Sequence, residues 1–280
     1  MESFVNADVS GKRVLVRVDY NVPLDDTGMI SSAKRITESL ATVNNLLKRG
    51  ARVILCSHLG RPKGQVNAKY SLKPVYEYLK TAVAANVYFA DDCIGEEAKR
   101  IASELKDGEI LLLENVRFYA EEEKNDKEFS EKLASLAEIY VNDAFGTAHR
   151  RHASTYGVRE FLPSYIGYLI EKELKMLDMT NVERPFVAVL GGAKVSDKIE
   201  LINSLFDKVD AILIGGAMAF TFIKAAGGTV ANSLVEEDKL ELAKELVVKA
   251  KENNVQLLIP EDVIAATEMS EKAKIKKAEA

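Results

Sequence analysis

The stretch VILCSHLGRPKG, residues 53–64, decides the fold. Val53, Ile54, Leu55 and Cys56 form the short apolar run of a buried strand. At Ser57 the run breaks into a loop that carries His58, Leu59, Gly60, Arg61, Pro62 and Gly64. In open α/β sheets ligands bind outside the carboxyl ends of the strands, so a His and an Arg just past a strand end mark a candidate anion site. Read alone, the same residues also fit a surface turn with a solvated arginine.

The flanking sequence repeats the pattern. Upstream, RVLVRV (13–18) alternates as a Val-rich strand and ends at Asp19, Tyr20 and Asn21 before a proline. SSAKRITESLATVNNLLKRG (31–50) has helical spacing at Ile36, Leu40, Val43, Leu46 and Leu47, with Gly50 as its stop. Arg35, near the start of that helix, reads as an ordinary solvated residue, because its charge does nothing for the positive end of the helix dipole. Downstream come a helix around LKPVYEYLKTAVA, a strand VYFA, and a helix from about residue 95 to 105. The strand of EILLLENVRFY follows, ending at Glu114, Asn115 and Arg117. A helix over about 127–137 leads to the strand EIYV, which gives way to Asn142, Asp143 and the loop AFGTAHRRHAS with His149 and Arg150. All three histidines of the chain, His58, His149 and His152, fall in two such loops, each beside arginine. Arginines converging there would hold a phosphate or carboxylate, since their planar forks match both groups and each charge-assisted bond contributes about 1.5–3 kcal/mol. Arg151 and His152 read as surface residues.

Alternating strands and helices over 280 residues imply α/β architecture with parallel-type strands. Hydrophobic residues make up 47 %, charged residues 29 %, and the formal charge is −5, so composition points to neither a nucleic-acid nor a membrane partner. The N-terminus lacks the basic-then-apolar arrangement of a secretory signal, and the expectation is a cytoplasmic protein with Cys56 and Cys93 reduced and structural.

From Pro163 the pattern changes. SYIGYLIEKELKMLDM reads as a helix, and after the polar TNVERP a strand FVAVL runs into GGAKVSDKIELINSLF. Glycines before a helix start offer close backbone approach and free N–H groups to a phosphate, and Lys194 and Lys198, four apart, would share a helix face. This is neither a Walker A loop nor GxGxxG. Gly215 and Gly216 in AILIGGAMAFTF form a second strand–glycine junction. VEEDKLELAKELVVKAKENN is a helix, VQLLIPEDVI a strand, and the tail ATEMSEKAKIKKAEA carries no strand signal. The second unit therefore reads as incomplete, with domains at 1–162 and 183–280 joined by a connecting helix and hinge over 163–182.

The stretches RVDYNVP, HLGRPKG, ENVRFY, EEEKND, YVNDAFGTAHRRHAS, FLPSYIGYLIEKEL, VLGGAKVSDKI, IGGAMAFTF and SLVEEDK closely resemble phosphoglycerate kinases. That resemblance implies two Rossmann-like domains facing each other across a cleft, closing by a hinge motion, in a cytoplasmic glycolytic enzyme that is expected to be a monomer. Its partners would be 3-phosphoglycerate or 1,3-bisphosphoglycerate on the first domain and ADP or ATP on the second, with Mg2+ carried by the nucleotide and no metal ligands in the chain. Carried over, Asp19, Tyr20 and Asn21 would hold the glycerate end. His58, Leu59, Gly60, Arg61, Arg117 and Arg150 would hold the non-transferred phosphate. Arg35 would reach the transferring phosphoryl group, and Gly191, Gly192, Lys194, Lys198, Gly215 and Gly216 would meet the nucleotide, with Arg35 and Lys194 catalytic. The family's later strands and its GGGD-type loop have no counterpart in the 280 residues. The resemblance thus implies a phosphoglycerate kinase that is inactive in this truncated form, the alternative being a non-catalytic phosphoglycerate-binding module.

Overall fold

Six strands of one parallel sheet organise the first unit of the chain. In a computed structural model, which describes residues 2–180, 182–268 and 270–279, the elements run β1 (Arg13–Arg17), α1 (Lys34–Lys48), β2 (Arg52–Cys56), α2 (Lys73–Ala82), β3 (Val87–Ala90), α3 (Glu96–Glu104) and β4 (Ile110–Leu113). They continue with α4 (Ala120–Glu123), α5 (Lys127–Ala134), β5 (Ile139–Asn142), α6 (Phe145–Ala148), β6 (Ser164–Ile166) and α7 (Tyr168–Leu177). The spatial order is β3-β4-β2-β1-β5-β6. Strand residues alternate between two cores. Val14, Val16, Val53 and Leu55 face Ile36, Val43 and Leu46 of α1 and Val75 and Leu79 of α2. Leu15, Ile54 and Leu111 face Ala98 and Ala102 of α3 and Phe129 and Leu133 of α5. A sheet covered on both faces is what near-continuous apolar strands require.

Register sets the site. Arg17 pairs with Cys56 on one side and Asn142 on the other, and Leu55 pairs with Leu112, so the loops after β1, β2, β4 and β5 leave the sheet along one edge. The chain goes from β1 to β2 on one side and, after β4, resumes at β5 on the other. The loops after these strands therefore flank the reversal in strand order, where α/β sheets open a crevice.

The structure corrects several expectations. Ser164–Ile166 is β6, in parallel register with β5, and the helix begins only at Tyr168; Gly167 breaks the two apart. The first unit therefore runs over Met1–Leu177 rather than stopping at 162, and the second over Asp178–Ala280. Residues expected as connector are tied into the first unit, where Tyr168 meets the ring of Phe4 edge-on at 4.9 Å and Ser3 donates to Glu171 over 3.1 Å.

The second unit contains β7 (Val187–Gly191), α8 (Ile199–Leu205), β8 (Ala211–Gly215), α9 (Met218–Ala225), α10 (Leu240–Glu252) and β9 (Gln256–Leu258), with a parallel sheet in the order β7-β8-β9. Its core joins Ile202, Ile212, Ile214, Phe222 and Leu246. VQLLIPEDVI is two strands and not one, because Pro260 supplies no N–H to a ladder: β9 ends before it and β10 (Asp262–Ala266) follows. The tail does form a strand. β11 (Ile275–Glu279) pairs antiparallel with β10, although the tail carries no strand signal in the sequence. Among the described residues no helix is long and apolar enough to cross a membrane.

Candidate functional site

The loop after β2 is held from below by the ENVRF turn after β4. Asn115 Nδ2 donates to the carbonyls of Leu59 and Tyr70 at 2.8 and 2.9 Å, and its Oδ1 accepts from the Arg117 N–H at 3.0 Å. Glu114 accepts from the Ser71 hydroxyl at 2.6 Å and the Leu72 N–H at 2.8 Å. Asn21 Oδ1 accepts from the Gly60 N–H at 2.8 Å, which ties the loop after β1 to the loop after β2. Gly60 has φ +62°, and a Cβ there would lie 2.4 Å from the Tyr70 ring, so both conformation and space demand glycine.

Within this frame the basic side chains converge. Arg17, the last residue of β1, is buried; it donates from Nη2 to His58 Nδ1 at 3.2 Å, from Nε to Ser154 Oγ at 2.8 Å, and from Nη1 to the Val18 carbonyl. A guanidinium only donates, so Nδ1 of His58 is the acceptor and its ring proton sits on Nε2. Burial, then the charges of Arg17, Arg117, Arg150 and Arg35, push His58 down to about 2, and the imidazole is neutral at any physiological pH. Arg117 is 4 % exposed. Its Nη1 donates to the Gly60 carbonyl at 2.9 Å, while Nε and Nη2 have no hydrogen-bond partner among the described residues. Glu123 Oε1 lies 3.3 Å from Nε, off the hydrogen-bonding direction. Burial is the main force lowering the pKa of Arg117, and Arg150 and Arg17 add to it.

Arg35, on the first turn of α1, pairs with Asp19, whose Oδ1 also accepts from the Asn21 N–H at 3.3 Å. Arg61 is exposed at the loop tip and Arg150 half-buried after α6. Tyr20 and Leu59 do not offer side chains to this basin. The Tyr20 ring is buried in the core with its hydroxyl 3.0 Å from Ser39 Oγ, and Leu59 is buried with its carbonyl bound to Asn115. Arg151 is exposed, its guanidinium 4.6 Å from the Tyr156 ring centre. His152 is not the surface residue expected: it is half-buried, with Nδ1 3.9 Å from Glu122 Oε1.

Three residues of this region went unread in the sequence: Arg17, Glu122 and Ser154. Glu122 is fully buried and accepts from the N–H and hydroxyl of Ser154 at 2.8 and 2.6 Å. Burial raises its pKa against the pull of Arg17 and Ser154. An arginine inside the apolar run RVLVRV was the available signal for the first; the run EEE in EEEKND looks solvated and gave none for the second.

In the second unit, Gly191 and Gly215 are register partners, which makes the two strand–glycine junctions neighbours. The Met218 N–H donates to the Gly192 carbonyl at 2.9 Å. A Cβ on Gly216, φ +67°, would lie 2.8 Å from both N and O of Gly192. Gly216→Ala is therefore expected to destabilise the second unit by roughly 2 kcal/mol, from left-handed strain plus backbone displacement, read as a lower urea midpoint for that unit. Lys194 and Lys198 do not share a helix face: Lys194 is exposed in the loop and Lys198 closes the 3-10 turn Ser196–Lys198 ahead of α8. The N–H groups expected to be free at that turn are occupied. Glu236 accepts from the N–H of Val195 at 2.5 Å, the N–H of Ser196 at 3.1 Å and the Ser196 hydroxyl at 2.6 Å. Lys198 lies beside the paired glycines, its Cε 3.9 Å from where a Cβ on Gly192 would stand.

A doubly wound parallel sheet with buried arginine and neutral histidine at its carboxyl edge, followed by a second unit with paired glycine junctions and lysines, defines a phosphate-handling α/β protein. The phosphoglycerate kinase family model matches residues 4–280. The chain is 56 % identical over 275 residues to phosphoglycerate kinase of Prosthecochloris aestuarii, covering 96 % of this chain and 69 % of that protein. It is 56 % identical over 273 residues to the cytosolic phosphoglycerate kinase of Triticum aestivum, covering 96 % and 68 %. The solved phosphoglycerate kinase from Coxiella burnetii superposes with TM-score 0.85 at 38 % identity, covering 99 % of this chain and 70 % of that one. The chain belongs to the phosphoglycerate kinase family, and its class of activity is that of a glycolytic phosphotransferase.

Proposed function

We propose that the first unit binds 3-phosphoglycerate or 1,3-bisphosphoglycerate, and that the second binds ADP or ATP. The reaction is reversible transfer of the acyl phosphate: the bond from the carboxyl oxygen to phosphorus breaks as a bond from the ADP β-phosphate oxygen forms. The observation that carries the phosphoglycerate half is Arg117, a buried guanidinium with two donor nitrogens that make no hydrogen bond among the described residues, beside neutral His58. A buried charged donor is unfavourable unless an acceptor completes it, and a phosphate supplies oxygens in the right number and charge.

In this reading His58, Arg61, Arg117 and Arg150 take the non-transferred phosphate, with the Gly60 backbone approaching it closely. Asp19 and Asn21 face the glycerate end. Arg35 is drawn from its ion pair with Asp19 toward the transferring phosphoryl group, whose equatorial charge it stabilises. Tyr20 and Leu59 shape the loops through their backbone alone. Gly191, Gly192, Gly215 and Gly216 give the nucleotide phosphates close backbone approach, and Lys194 and Lys198 neutralise them. Mg2+ arrives on the nucleotide as part of that substrate and spreads the charge of its phosphates. We take the chain to act as a monomer in the cytosol, in keeping with its similarity to a relative described as cytosolic. Family membership favours this kinase reading over a non-catalytic binding module.

Isothermal titration tests the two halves separately. We expect 3-phosphoglycerate to bind and inorganic phosphate to compete with it, and magnesium ADP to bind independently of both. An absence of heat with 3-phosphoglycerate, together with no protection by phosphate in a thermal shift, would remove the basis of the reading.

A further inference from the structure

The buried groups behind the basin form one line. Glu122 Oε1 accepts from the Ser154 hydroxyl, Ser154 Oγ accepts from Arg17 Nε, and Arg17 Nη2 donates to His58 Nδ1. Each group fixes the direction of the next. Arginine has no acceptor, so His58 Nδ1 must accept; carboxylate has no donor, so the Ser154 proton must point to Glu122, which frees Oγ to accept from Arg17. Glu122 is also the compensating charge for a guanidinium that is 1 % exposed. Without it, Arg17 would carry a buried charge with only Ser154, a carbonyl and an imidazole as partners, and burial of that kind is strongly unfavourable.

We propose that Glu122 is a positioning residue: through Ser154 and Arg17 it holds His58 as the tautomer protonated on Nε2, so that the imidazole meets the substrate phosphate as a fixed donor. The inference rests on the reading of His58 as a phosphate ligand, but the tautomer is a property of the unliganded chain and is measured without substrate. A neutral imidazole free to exchange tautomers would present a lone pair to the phosphate part of the time, which repels where the donor attracts. The line confers direction on a ring that carries no charge of its own.

The chain has only three histidines. Ring nitrogen-15 shifts of His58 are therefore assignable on the full 280-residue chain with His149→Gln and His152→Gln as references. We expect wild type to show the Nε2-protonated form alone. Glu122→Gln and, should that variant fail to fold, Ser154→Ala, which keeps both charges and cuts the line between them, are expected to give a tautomer mixture. Affinity for 3-phosphoglycerate should fall about tenfold in these variants, as for the loss of one well-directed hydrogen bond. A single Nε2-protonated His58 in both variants, with affinity unchanged, would overturn the proposal and leave Glu122 a core counter-charge. His58→Ala separates the two readings. If it binds 3-phosphoglycerate as tightly as wild type, the phosphate role of His58 fails, whatever the tautomer result.

Discussion

Arg117→Met is expected to weaken 3-phosphoglycerate binding more than a hundredfold while leaving the unliganded first unit as stable as wild type or slightly more so. The two halves of that expectation come from the same observation. Nε and Nη2 of Arg117 are buried with no hydrogen-bond partner among the described residues, and the guanidinium stands near Arg17 and Arg150, both of which lower its pKa. In the free chain these groups are a standing cost, because an unsatisfied buried donor loses about 1–3 kcal/mol of hydration, more for a charged group. Methionine keeps the length of the stem and fills the same space without that cost, at the loss of one bond to the Gly60 carbonyl and the nearby Glu123 charge. On binding, the two idle donors would each make a charge-assisted bond to a phosphate oxygen. Losing both at about 1.5–3 kcal/mol each exceeds the 2.7 kcal/mol or so that separates a hundredfold. Titration calorimetry gives the affinity and urea unfolding the stability. An affinity loss under threefold would show that the free nitrogens of Arg117 are not aimed at the ligand, and a large fall in stability would show that they are satisfied by something else.

This pattern also explains why one part of the site could be read from sequence and another could not. Strands that lead into His58 or Arg117, or end in Asn142, announce themselves, because an apolar run and the polar residues beyond it are adjacent in the chain and the parallel register brings the ends of different runs to one edge. The groups that orient those side chains are remote. Arg17 and Ser154 are 137 residues apart and meet only because β1 and the loop after α6 share a core. Glu122 sits in a run of three glutamates of which it alone is fully buried, and local polarity cannot distinguish it from its neighbours. Periodicity fails in the opposite way at SYI and at the tail. Both are too short or too polar to signal a strand, and pairing with β5 or with β10 creates the strand where intrinsic preference does not. The expected helix face for Lys194 and Lys198 fails because the first turn there is 3-10 and is capped by Glu236, a carboxylate supplied from a distant part of the unit.

The second large effect concerns the start of α7. Asp143 follows β5, is fully buried, and accepts from the Leu169 N–H at 2.8 Å, while its Oδ2 has no hydrogen-bond partner among the described residues. Gly167 has to be glycine beside it, since a Cβ there would lie 2.2 Å from Oδ1. Burial pushes the carboxyl up to about 6, against the opposing pull of the Thr42 hydroxyl and the N–H groups of Leu169 and Ile170. The raised value means that the folded state prefers the protonated acid. Its contribution to stability is complete below the ordinary value of 3.8 and is lost as pH rises through about 6. Across that window the wild-type first unit should lose about 3 kcal/mol, because each tenfold change in proton affinity is worth about 1.36 kcal/mol. Asp143→Asn keeps an oxygen for the Leu169 N–H and cannot ionise. The variant should match wild type near pH 4 and exceed it by about 2–3 kcal/mol at pH 8. Hydrogen exchange of the β1, β2 and β5 amides, which open only when the first unit unfolds, reports that difference without interference from the second unit. A variant-to-wild-type gap that stays constant from pH 4 to pH 8 would mean that Asp143 does not titrate in this range. A gap that narrows or reverses as pH rises would mean that the ionised carboxylate holds the Leu169 N–H at the first turn of α7 more strongly than an amide can, and would overturn the expectation.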